Sequence, residues 1–420
     1  MAYAQRQRYF WGNSAKRFAH LHTSGSAPAR SPGVISQHVA APAWCRRRVS
    51  FQREIEIMKK AIAEIWVDGV NVTDRISPLL ISLSVSDRAG TSSDSASIEL
   101  DDTNGRAIMP SDRAAVSIKL GWEGEGVAEI FRGTIDGSPR ADGSRSGRTI
   151  SITAKSMDVR GKAKQGQRRY FDNETIGNAL QVTGRWAGLT VAVHPDFASI
   201  QRKYIGLDDE SFAEFGERIA QELGGTFKIV GDRAFLTKRN GGVNAAGAAL
   251  ATVQAIWGEN LHDYSITPIA GRRLEKSVRT RWYDTKAAEY KTTDAETGTE
   301  DATTVYSDNF DASDESSAQH RASALAAELD RKSGEGSVTI EGNIGAQPEG
   351  SCVVAKCRPG IDGTYRIEGV THNYSRSGWV TRLELGQPKG EAGKDKRGKS
   401  SSAGDGDDDD FSLPPDSELG

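Results

Sequence analysis

Apolar and polar residues alternate in short runs between residues 61 and 155, and turn residues separate the runs. Alternation with a period of two gives a β-strand one apolar face. In the run LLISLSVSD we expect Leu79, Ile81, Leu83 and Val85 to share that face. Short strands at intervals of about ten residues predict a closed barrel or a sandwich. The predicted strands are Ala61–Val72 with a turn at Asp68-Gly69, Leu79–Asp87, Ser95–Leu100, Ala115–Trp122, Glu129–Asp136 and Thr149–Lys155, and the polar segment Gly137–Arg148 is expected to be a loop.

The period of the apolar residues changes to a helical one in the region 168–240. A first helix is predicted between Asn173 and Gly188. A second helix begins at Ser211 and Glu214, whose side chains fit a capping box in which each satisfies a free amide of the first turn. The apolar face of this second helix contains Phe212, Phe215, Ile219 and Leu223, and Gly224-Gly225 ends it. The rest of this α/β region is expected to hold the strand Thr190–Val193 and a hairpin of Thr226–Val230 and Arg233–Lys238.

Strand patterns return between residues 255 and 387, interrupted by one predicted helix, Ser316–Arg331. The buried stripe of that helix is expected to contain Ala318, Ala322, Leu325 and Leu329. The chain is therefore predicted to be a β-rich α+β protein in which two β-barrel-like domains bracket a small α/β insert. We assign residues 58–162 to the first β-barrel-like domain, 163–242 to the insert and 243–388 to the second β-barrel-like domain, with a disordered leader at 1–57 and a disordered charged tail at 389–420.

The two ends of the chain differ in composition from its middle. Nine of the 54 Lys and Arg residues precede Glu54, which is the first of the 57 acidic residues. Residues 1–57 have three interpretations: a transit peptide, a basic arm that binds nucleic acid, or an upstream read-through before a true start at Met58. We favour the third, because the segment after Met58 begins as a domain does. The tail is poor in apolar residues and dense in charge, which predicts a flexible extension, and its FSLPP segment is either solvated or a docking peptide.

Composition excludes several classes of function. Since the chain after Arg53 carries an excess of acidic residues, we expect no general or sequence-specific nucleic-acid surface. No run approaches the roughly 18 to 20 apolar residues of a membrane span, so no membrane anchor is expected. Cys45, Cys352 and Cys357 make no disulfide framework, and the odd spacing of the last two places them on opposite faces of one strand. Neither a disulfide nor a shared metal is expected, and folding in a reducing compartment follows.

No sequence motif identifies an enzyme. A Walker loop, an HExxH motif and a GxSxG nucleophile elbow are all missing from the sequence. Two carboxylate pairs are candidates for hydrolase chemistry, Asp172 with Glu174 and Glu210 with Glu214. Their positions at predicted helix starts favour helix stabilisation instead. We therefore assign no catalytic, cofactor-binding or metal-binding residue and expect no cofactor.

The remaining polar and aromatic candidates also have structural interpretations. His372 has no Cys or carboxylate at ligand spacing, which favours a structural or surface histidine. Asp102 starts what resembles part of a calcium loop, but Arg113 stands where a bidentate glutamate is needed. A turn stabilised by Asx side chains is the prediction for Asp101, Asp102 and Asn104. Core or interface positions, and not a carbohydrate platform, are predicted for the tryptophans in strand-like runs and in the first helix, Trp66, Trp122, Trp282, Trp379 and Trp186.

The order of these elements resembles the late control gene D family, the tail hub proteins of contractile phages and prophage-derived tails. The matching segments are spread over nearly the whole body, from Met58 to Gln387, and their order and spacing are together more specific than any one of them. They are IWVDGVNVTDRISPLLISLSVSD, SASIELDD, PSDRAAVSIKLGW, IFRGTIDG, ESFAEFGERIAQELGGTFKI and GTYRIEGVTHNYSRSGWVTRLEL. The leader departs from the family pattern.

The resemblance implies an architectural function and no enzymatic activity. Such proteins resemble a homotrimeric hub in which two related β-barrel domains per subunit build a pseudo-sixfold ring that joins the tail tube to a central spike. It implies a spike protein, the tail tube and other baseplate proteins as partners, a location in the virion tail and assembly in the cytoplasm of a bacterial host. The spike is expected to be a separate chain. We predict that the edge strands Leu79–Asp87 and Ala115–Trp122 form subunit contacts.

Two alternatives remain open at this point. One is a tail-associated cell-wall hydrolase whose catalytic domain is the α/β insert, with carboxylates between Asp172 and Glu214. The other is a glycan- or receptor-binding module that acts through the same insert without turnover. Peptidoglycan clearing and cell-wall pull-down separate these two from a trimeric hub.

Overall fold

A computed structural model describes residues 59–90, 93–105, 107–145, 147–158, 161–239, 249–268, 275–298, 302–389, 392–394 and 397. The predictions for the leader 1–57, including Cys45 and the start at Met58, lie outside the described residues, as do those for most of the tail. Within the described part of the chain, no helix is both long and apolar enough to cross a membrane.

The first region consists of antiparallel strands, as the alternating pattern predicts. The predicted turn at Asp68-Gly69 separates two of them, and both residues have positive φ angles of 48° and 77°. The elements are β1 Ala61–Val67, β2 Val70–Asn71, α1 Thr73–Ile76, β3 Leu80–Arg88, β4 Ser95–Asp101, β5 Ala115–Trp122, β6 Gly126–Ile135, β7 Arg140–Ser144 and β8 Gly147–Lys155.

Two details of this region differ from the prediction. Ile81 is 38% exposed, whereas Leu83 and Val85 are buried. The register between β3 and β4 shifts between Leu80 and Ser82, so this β-bulge turns Ile81 away from the face it was expected to share. The segment predicted as a polar loop contains β7, which forms a hairpin with β8 although all five of its residues are exposed.

The second region contains the predicted helices and hairpin. In α4 the Ser211 hydroxyl accepts from the Glu214 amide at 3.3 Å, and the Glu214 carboxylate accepts from the Ser211 amide at 2.9 Å. Gly224 ends the helix in the left-handed conformation with φ 65°. Both the capping box and the glycine stop are therefore confirmed. The elements are a 3₁₀ turn Lys162–Lys164, β9 Gln167–Thr175, α2 Ile176–Trp186, β10 Thr190–Val193, α3 Pro195–Ala198, β11 Gln201–Glu210, α4 Phe212–Leu223, β12 Gly225–Val230 and β13 Arg233–Lys238.

The sequence pattern did not predict the antiparallel ribbon of β9 and β11. Both strands are rich in charged residues, and several of their side chains on each face are exposed, so the apolar alternation that marks a half-buried strand is weak. The ribbon carries two strongly exposed tyrosines, Tyr170 and Tyr204. Strands β10, β13 and β12 form a separate small sheet.

The third region returns to strands around one long helix. Asp314 caps α5 by accepting from the Ser317 amide at 2.8 Å. Ala318 and Ala322 are buried as predicted, but Leu325 and Leu329 are only half-buried, and the other buried residues of the helix are Ala324, Ala326 and Arg331. The elements are β14 Thr252–Ile256, β15 Leu261–Thr267, β16 Glu275–Asp284, β17 Glu289–Glu296, β18 Thr304–Ala312, α5 Glu315–Arg331, β19 Glu335–Glu341, β20 Ser351–Ala355, β21 Gly363–Ser375 and β22 Gly378–Lys389.

The first and third regions share one sheet. Strand β3 pairs with β21 over seven residue pairs, from Gly369 with Arg88 to Ser375 with Ser82. The resulting 14-stranded sheet has the order β15-β19-β22-β21-β3-β4-β8-β6-β5-β1-β2, with β20 and β14 attached beside β21 and β7 beside β8. The prediction of a β-rich fold is confirmed, but the prediction of two β-barrel-like domains is not, because the described strands form no closed barrel.

Trp379 connects the two regions through their cores. It lies on β22 of the third region, yet it is 2% exposed within the apolar cluster formed by β1, β3–β6 and β8. Its ring lies 5.3 Å from the Trp122 ring and 5.8 Å from His372, between centroids. A Cβ atom on Gly342 would come within 2.1 Å of the Trp379 ring, so only glycine fits there. Two further clusters fill the second and third regions.

The cysteines and the start of the tail also have defined places. Cys352 is buried in β20, and Cys357 lies two residues beyond the end of that strand. The prediction that both lie on one strand is therefore wrong. Both are free thiols. Strand β22 continues to Lys389, and Ala392 is buried next to Gly363. The first described residues of the segment predicted as a flexible tail therefore belong to the fold.

Candidate interaction surfaces

The two strands predicted to form subunit contacts are interior strands. Strand β3 pairs with β4 on one side and β21 on the other, and β5 pairs with β1 and β6. Since their backbone groups are used within the sheet, they offer no free edge and the prediction is wrong. In the described part of the chain, the edge strands are instead β2, β7, β14 and β15 in the large sheet and β17 and β18 in one of the three-stranded sheets.

The carboxylates considered for hydrolase chemistry are held in structural contacts. The Thr175 amide donates to Glu174 at 2.9 Å, and this hydrogen bond lowers the pKa of Glu174. The bonds from the Ser211 amide and hydroxyl lower the pKa of Glu214 in the same way. A general acid needs a raised pKa, so neither group is suited to protonate a leaving group.

The other two members of those pairs do not form a catalytic couple either. Glu210 accepts two hydrogen bonds from Arg218, at 2.9 and 2.8 Å. Asp172 is exposed in β9 opposite Tyr204, and not at a helix start as predicted. The structure thus supports the structural interpretation of Glu174, Glu210 and Glu214.

His372 and the Asp101 turn have the structural roles expected. His372 is 6% exposed and its Nδ1 lies 3.0 Å from the Thr381 hydroxyl. Burial lowers the pKa of His372 to about 4, so the ring is neutral at pH 7. Asp101 accepts from the Thr103 amide at 2.9 Å, as an Asx turn requires. Among the described residues, no group of three or more His, Cys, Asp or Glu side chains could hold a metal ion.

The tryptophans lie where the pattern predicted. Trp66, Trp122, Trp282 and Trp379 are in strands β1, β5, β16 and β22. Trp186 is in α2 but is only half-buried, and the Arg169 guanidinium and the Lys162 ammonium lie 5.6 and 5.9 Å from its ring centroid.

A buried charge cluster ties the second region to the large sheet. Lys228 of β12 contacts Asp87 of β3 and lies 2.7 Å from Asp94. Burial and the neighbouring Asp87 raise the pKa of Asp94 to about 7. In an unfolded chain the pKa of Asp is about 3.9. The contribution of Asp94 to stability is therefore largest below about pH 4 and is lost as the pH rises to about 7.

A cleft of about 460 Å³ lies between β11, α4, β18 and α5. Tyr204 and Phe310 line it and are 65% and 67% exposed. Its three arginines already have partners: Arg218 binds Glu210, Arg321 contacts Asp308, and Arg202 contacts Ser317. Fixed polar groups around exposed aromatic rings are typical of a protein-binding surface and not of a catalytic site. We call this the aromatic cleft.

A second aromatic surface is the outer face of the three-stranded sheet. Tyr283 and Tyr290 pack edge to face with ring centroids 5.1 Å apart, and the Arg281 guanidinium lies 4.6 Å above the Tyr290 ring. Arg281 also forms a bidentate pair with Asp311 at 2.7 and 3.1 Å. These contacts order exposed tyrosine and arginine side chains, which reduces the entropy lost on binding a partner.

Sequence reasoning identified neither surface. The cleft joins Tyr204 to Phe310 across more than a hundred residues, and no local pattern relates them. The only signal was the presence of aromatic residues in otherwise polar strands.

Comparison with known proteins agrees with this picture. No protein-family profile matches the chain. The chain is 26% identical over 223 residues to the probable baseplate hub protein of Escherichia phage P2, with 53% of this chain and 56% of the relative covered. It is 27% identical over 227 residues to the probable baseplate hub protein of Escherichia phage 186, with the same shares covered. The chain thus spans about half the length of the curated relatives it matches.

The fold is similar to that of a solved prophage tail protein. It matches the 43 kDa tail protein of prophage MuSo2 from Shewanella oneidensis with a TM-score of 0.59 and 15% identity, over 77% of this chain and 98% of that one. In sequence, the chain is similar to probable baseplate hub proteins, which confirms the resemblance to tail hub proteins predicted from the sequence. The prediction that the chain is not an enzyme agrees with those descriptions.

Proposed function

We propose that this chain is a structural baseplate hub protein of a phage or prophage-derived contractile tail. Three copies close into a ring that joins the tail tube to a central spike, within the tail of the virion, after assembly in the cytoplasm of the bacterial host. The observation that carries the proposal is the sequence similarity to two probable baseplate hub proteins, together with a fold shared with a prophage tail protein.

Subunit contacts in this ring are assigned to the aromatic cleft. The cleft of each subunit would bind a neighbouring copy of the chain. In a ring of three identical subunits, one surface of each subunit contacts a different surface of the next. The exposed rings of Tyr204 and Phe310 supply the apolar centre that such contacts need. The polar rim is already satisfied, so closing the cleft leaves the three arginines with their partners.

The division of the chain remains part of the proposal. Residues 58–162 and 243–388 would form the ring through their shared sheet, and residues 163–242 would contribute Tyr204 and α4 to the subunit contact at the aromatic cleft. The outer face with Tyr283 and Tyr290 is then available to the tube, the spike or another baseplate protein.

Light scattering of the purified full chain tests the oligomeric state. A mass three times that of one chain, and co-purification with a spike protein, are the expected results. A chain that stays monomeric at high concentration and binds no tail component contradicts the proposal.

The hydrolase alternative is tested on the same preparation. Peptidoglycan clearing that is lost on Asp172→Asn or Glu214→Gln would support it, and a hub shows no clearing. Retention on cell walls without clearing would instead favour the glycan-binding alternative.

A further inference from the structure

The surface of the second region carries a cluster of cations at Trp186. This tryptophan is the last residue of α2 and is half-buried. The Arg169 guanidinium on β9 lies 5.6 Å from the centroid of its ring, and the Lys162 ammonium on the 3₁₀ turn lies 5.9 Å from the ring centroid. Arg185 precedes the tryptophan on α2 and is exposed. We call these four residues the basic patch, and none of them lines the aromatic cleft.

The cations of the basic patch have no acidic partner in the described part of the chain. Lys162, Arg169 and Arg185 form no ion pair there, and Arg185 donates to the carbonyl of Gln181 in its own helix at 3.3 Å. Carboxylates of the adjoining segments have other partners: Asp158 is bonded to Arg113, Asp209 to Arg168, and Glu214 to Ser211. The patch is therefore a site of unpaired positive charge, although the chain after Arg53 has an excess of acidic residues.

The ring of Trp186 holds two like charges near each other. The Nζ atom of Lys162 and the Cζ atom of Arg169 are no more than about 12 Å apart, because each lies within about 6 Å of the same ring centroid. Each cation is attracted by the electron-rich face of the indole, but the two cations repel each other. An anion that binds between them is attracted by both. Since the ring already orders the two side chains, less entropy is lost when an anion binds.

We propose that the basic patch is a docking surface for an acidic segment of another protein, in which neighbouring Asp or Glu side chains bind Lys162 and Arg169. Complementary charge favours this partner, because the patch presents unpaired cations on an exposed surface. Tryptophan and arginine are also enriched among the residues that dominate binding between proteins. The inference does not depend on the hub function proposed above, since neither the ring nor the aromatic cleft uses these residues.

The small size of the patch favours a short acidic peptide segment over nucleic acid. Duplex DNA carries one negative charge per about 1.7 Å of its axis, so the two cations beside Trp186 would contact only a short part of it. A longer contact would also reach the carboxylates of β11. Asp208 follows Leu207, the pairing partner of Arg169, and its side chain is 93% exposed. Phosphates would be repelled there, whereas a protein partner can place neutral or basic residues opposite Asp208.

Fluorescence anisotropy of a labelled oligoglutamate peptide of about six residues, titrated with the full chain, tests the proposal. The titration is made at about 10 mM salt, where charges act over about 30 Å, and is repeated at about 150 mM salt. We expect saturable binding that weakens at the higher salt concentration. The combined variant Lys162→Gln with Arg169→Gln should weaken the binding about fivefold or more, because both ion pairs are lost. An oligoglutamine peptide of the same length should not bind.

Two further variants separate the effect of charge from other effects. Arg168→Gln is the matched control, because Arg168 is the exposed neighbour of Arg169 on the same strand and is already bonded to Asp209 at 2.7 Å. It should change the peptide affinity by less than about twofold. Lys162→Arg with Arg169→Lys keeps both charges and should retain most of the affinity. Circular dichroism of every variant should match that of the wild type, since these side chains lie outside the buried core.

Three results would overturn the proposal. Equal peptide affinity of the wild type and the combined Gln variant would place the binding elsewhere on the chain. An oligothymidylate with about the same number of charges that binds more tightly than the peptide, and loses affinity in the same variant, would show a nucleic-acid surface instead. No saturable binding of the peptide at the lower salt concentration would show that the basic patch binds no acidic segment.

Discussion

Replacing Trp379 with alanine tests whether the first and third regions share one core. The side chain is 2% exposed and packs against Trp122 and His372. Truncating a buried tryptophan to alanine costs about 3–5 kcal/mol through lost apolar contacts and the remaining cavity. The Trp379 side chain belongs to the apolar cluster formed by β1, β3–β6 and β8. Its removal should therefore destabilise the first region as much as the third.

Urea unfolding followed by hydrogen exchange measures both effects. We expect the free energy of unfolding to fall by about 4 kcal/mol, and amides of β5 and β22 to lose protection together. Trp257→Ala is the matched control, because Trp257 is 46% exposed and its one ring contact is Tyr264 at 5.4 Å. It should cost about 1 kcal/mol or less. If Trp379→Ala exposes the amides of β22 and leaves those of β5 fully protected, the two regions do not share a core.

Three further predictions concern packing, pH and assembly. Gly342→Ala should destabilise the protein by about 1–3 kcal/mol in urea unfolding, because its methyl group would overlap the Trp379 ring, whereas Gly124→Ala, with open space around its Cβ, should cost less through its φ of 88° alone. Asp94→Asn should make the free energy of unfolding depend less on pH between about pH 4 and 7. Over this range the wild type should lose up to roughly 4 kcal/mol of stability relative to the variant as the pH rises. A difference between the two proteins that does not change with pH would contradict the raised pKa of Asp94. His372, with its pKa lowered to about 4, acts oppositely, since its contribution is present above about pH 6.5 and is lost as the pH falls, so only the difference between wild type and Asp94→Asn isolates Asp94. Tyr204→Ser with Phe310→Ser should weaken the trimer at least tenfold in light scattering, whereas Ile108→Ser with Met109→Ser, which removes exposed apolar side chains elsewhere, should not; equal effects would exclude the aromatic cleft as the subunit contact.

Local elements of the fold were predictable from the sequence, because their causes lie within a few residues. Ser211 and Glu214 cap α4 through their own first turn, and Gly224 ends it through its left-handed conformation. The strands of the first region follow from a period of two. The bulge at Ile81 escaped prediction because an extra residue changes the face of a side chain without changing the sequence pattern.

Long-range arrangement was not predictable in the same way. The pairing of β3 with β21 joins segments almost three hundred residues apart, and nothing in either strand identifies its partner. Two alternating regions on either side of an insert fit two barrels as well as one continuous sheet. The same limit applies to the aromatic cleft, since Tyr204 and Phe310 line one cleft only when β11 and β18 come together. The resemblance to tail hub proteins supplied the functional class but not these surfaces.

The seam between β3 and β21 has a consequence for biosynthesis. While the ribosome is still making the middle of the chain, the early strands have no partner for the exposed edge of β3, and that partner is among the last segments to be synthesised. An unpaired strand edge readily joins another chain. Nascent or prematurely terminated chains should therefore aggregate through the unpaired edge of β3. Productive folding then requires that synthesis reaches β21 quickly, or that the edge of β3 is shielded until β21 leaves the ribosome.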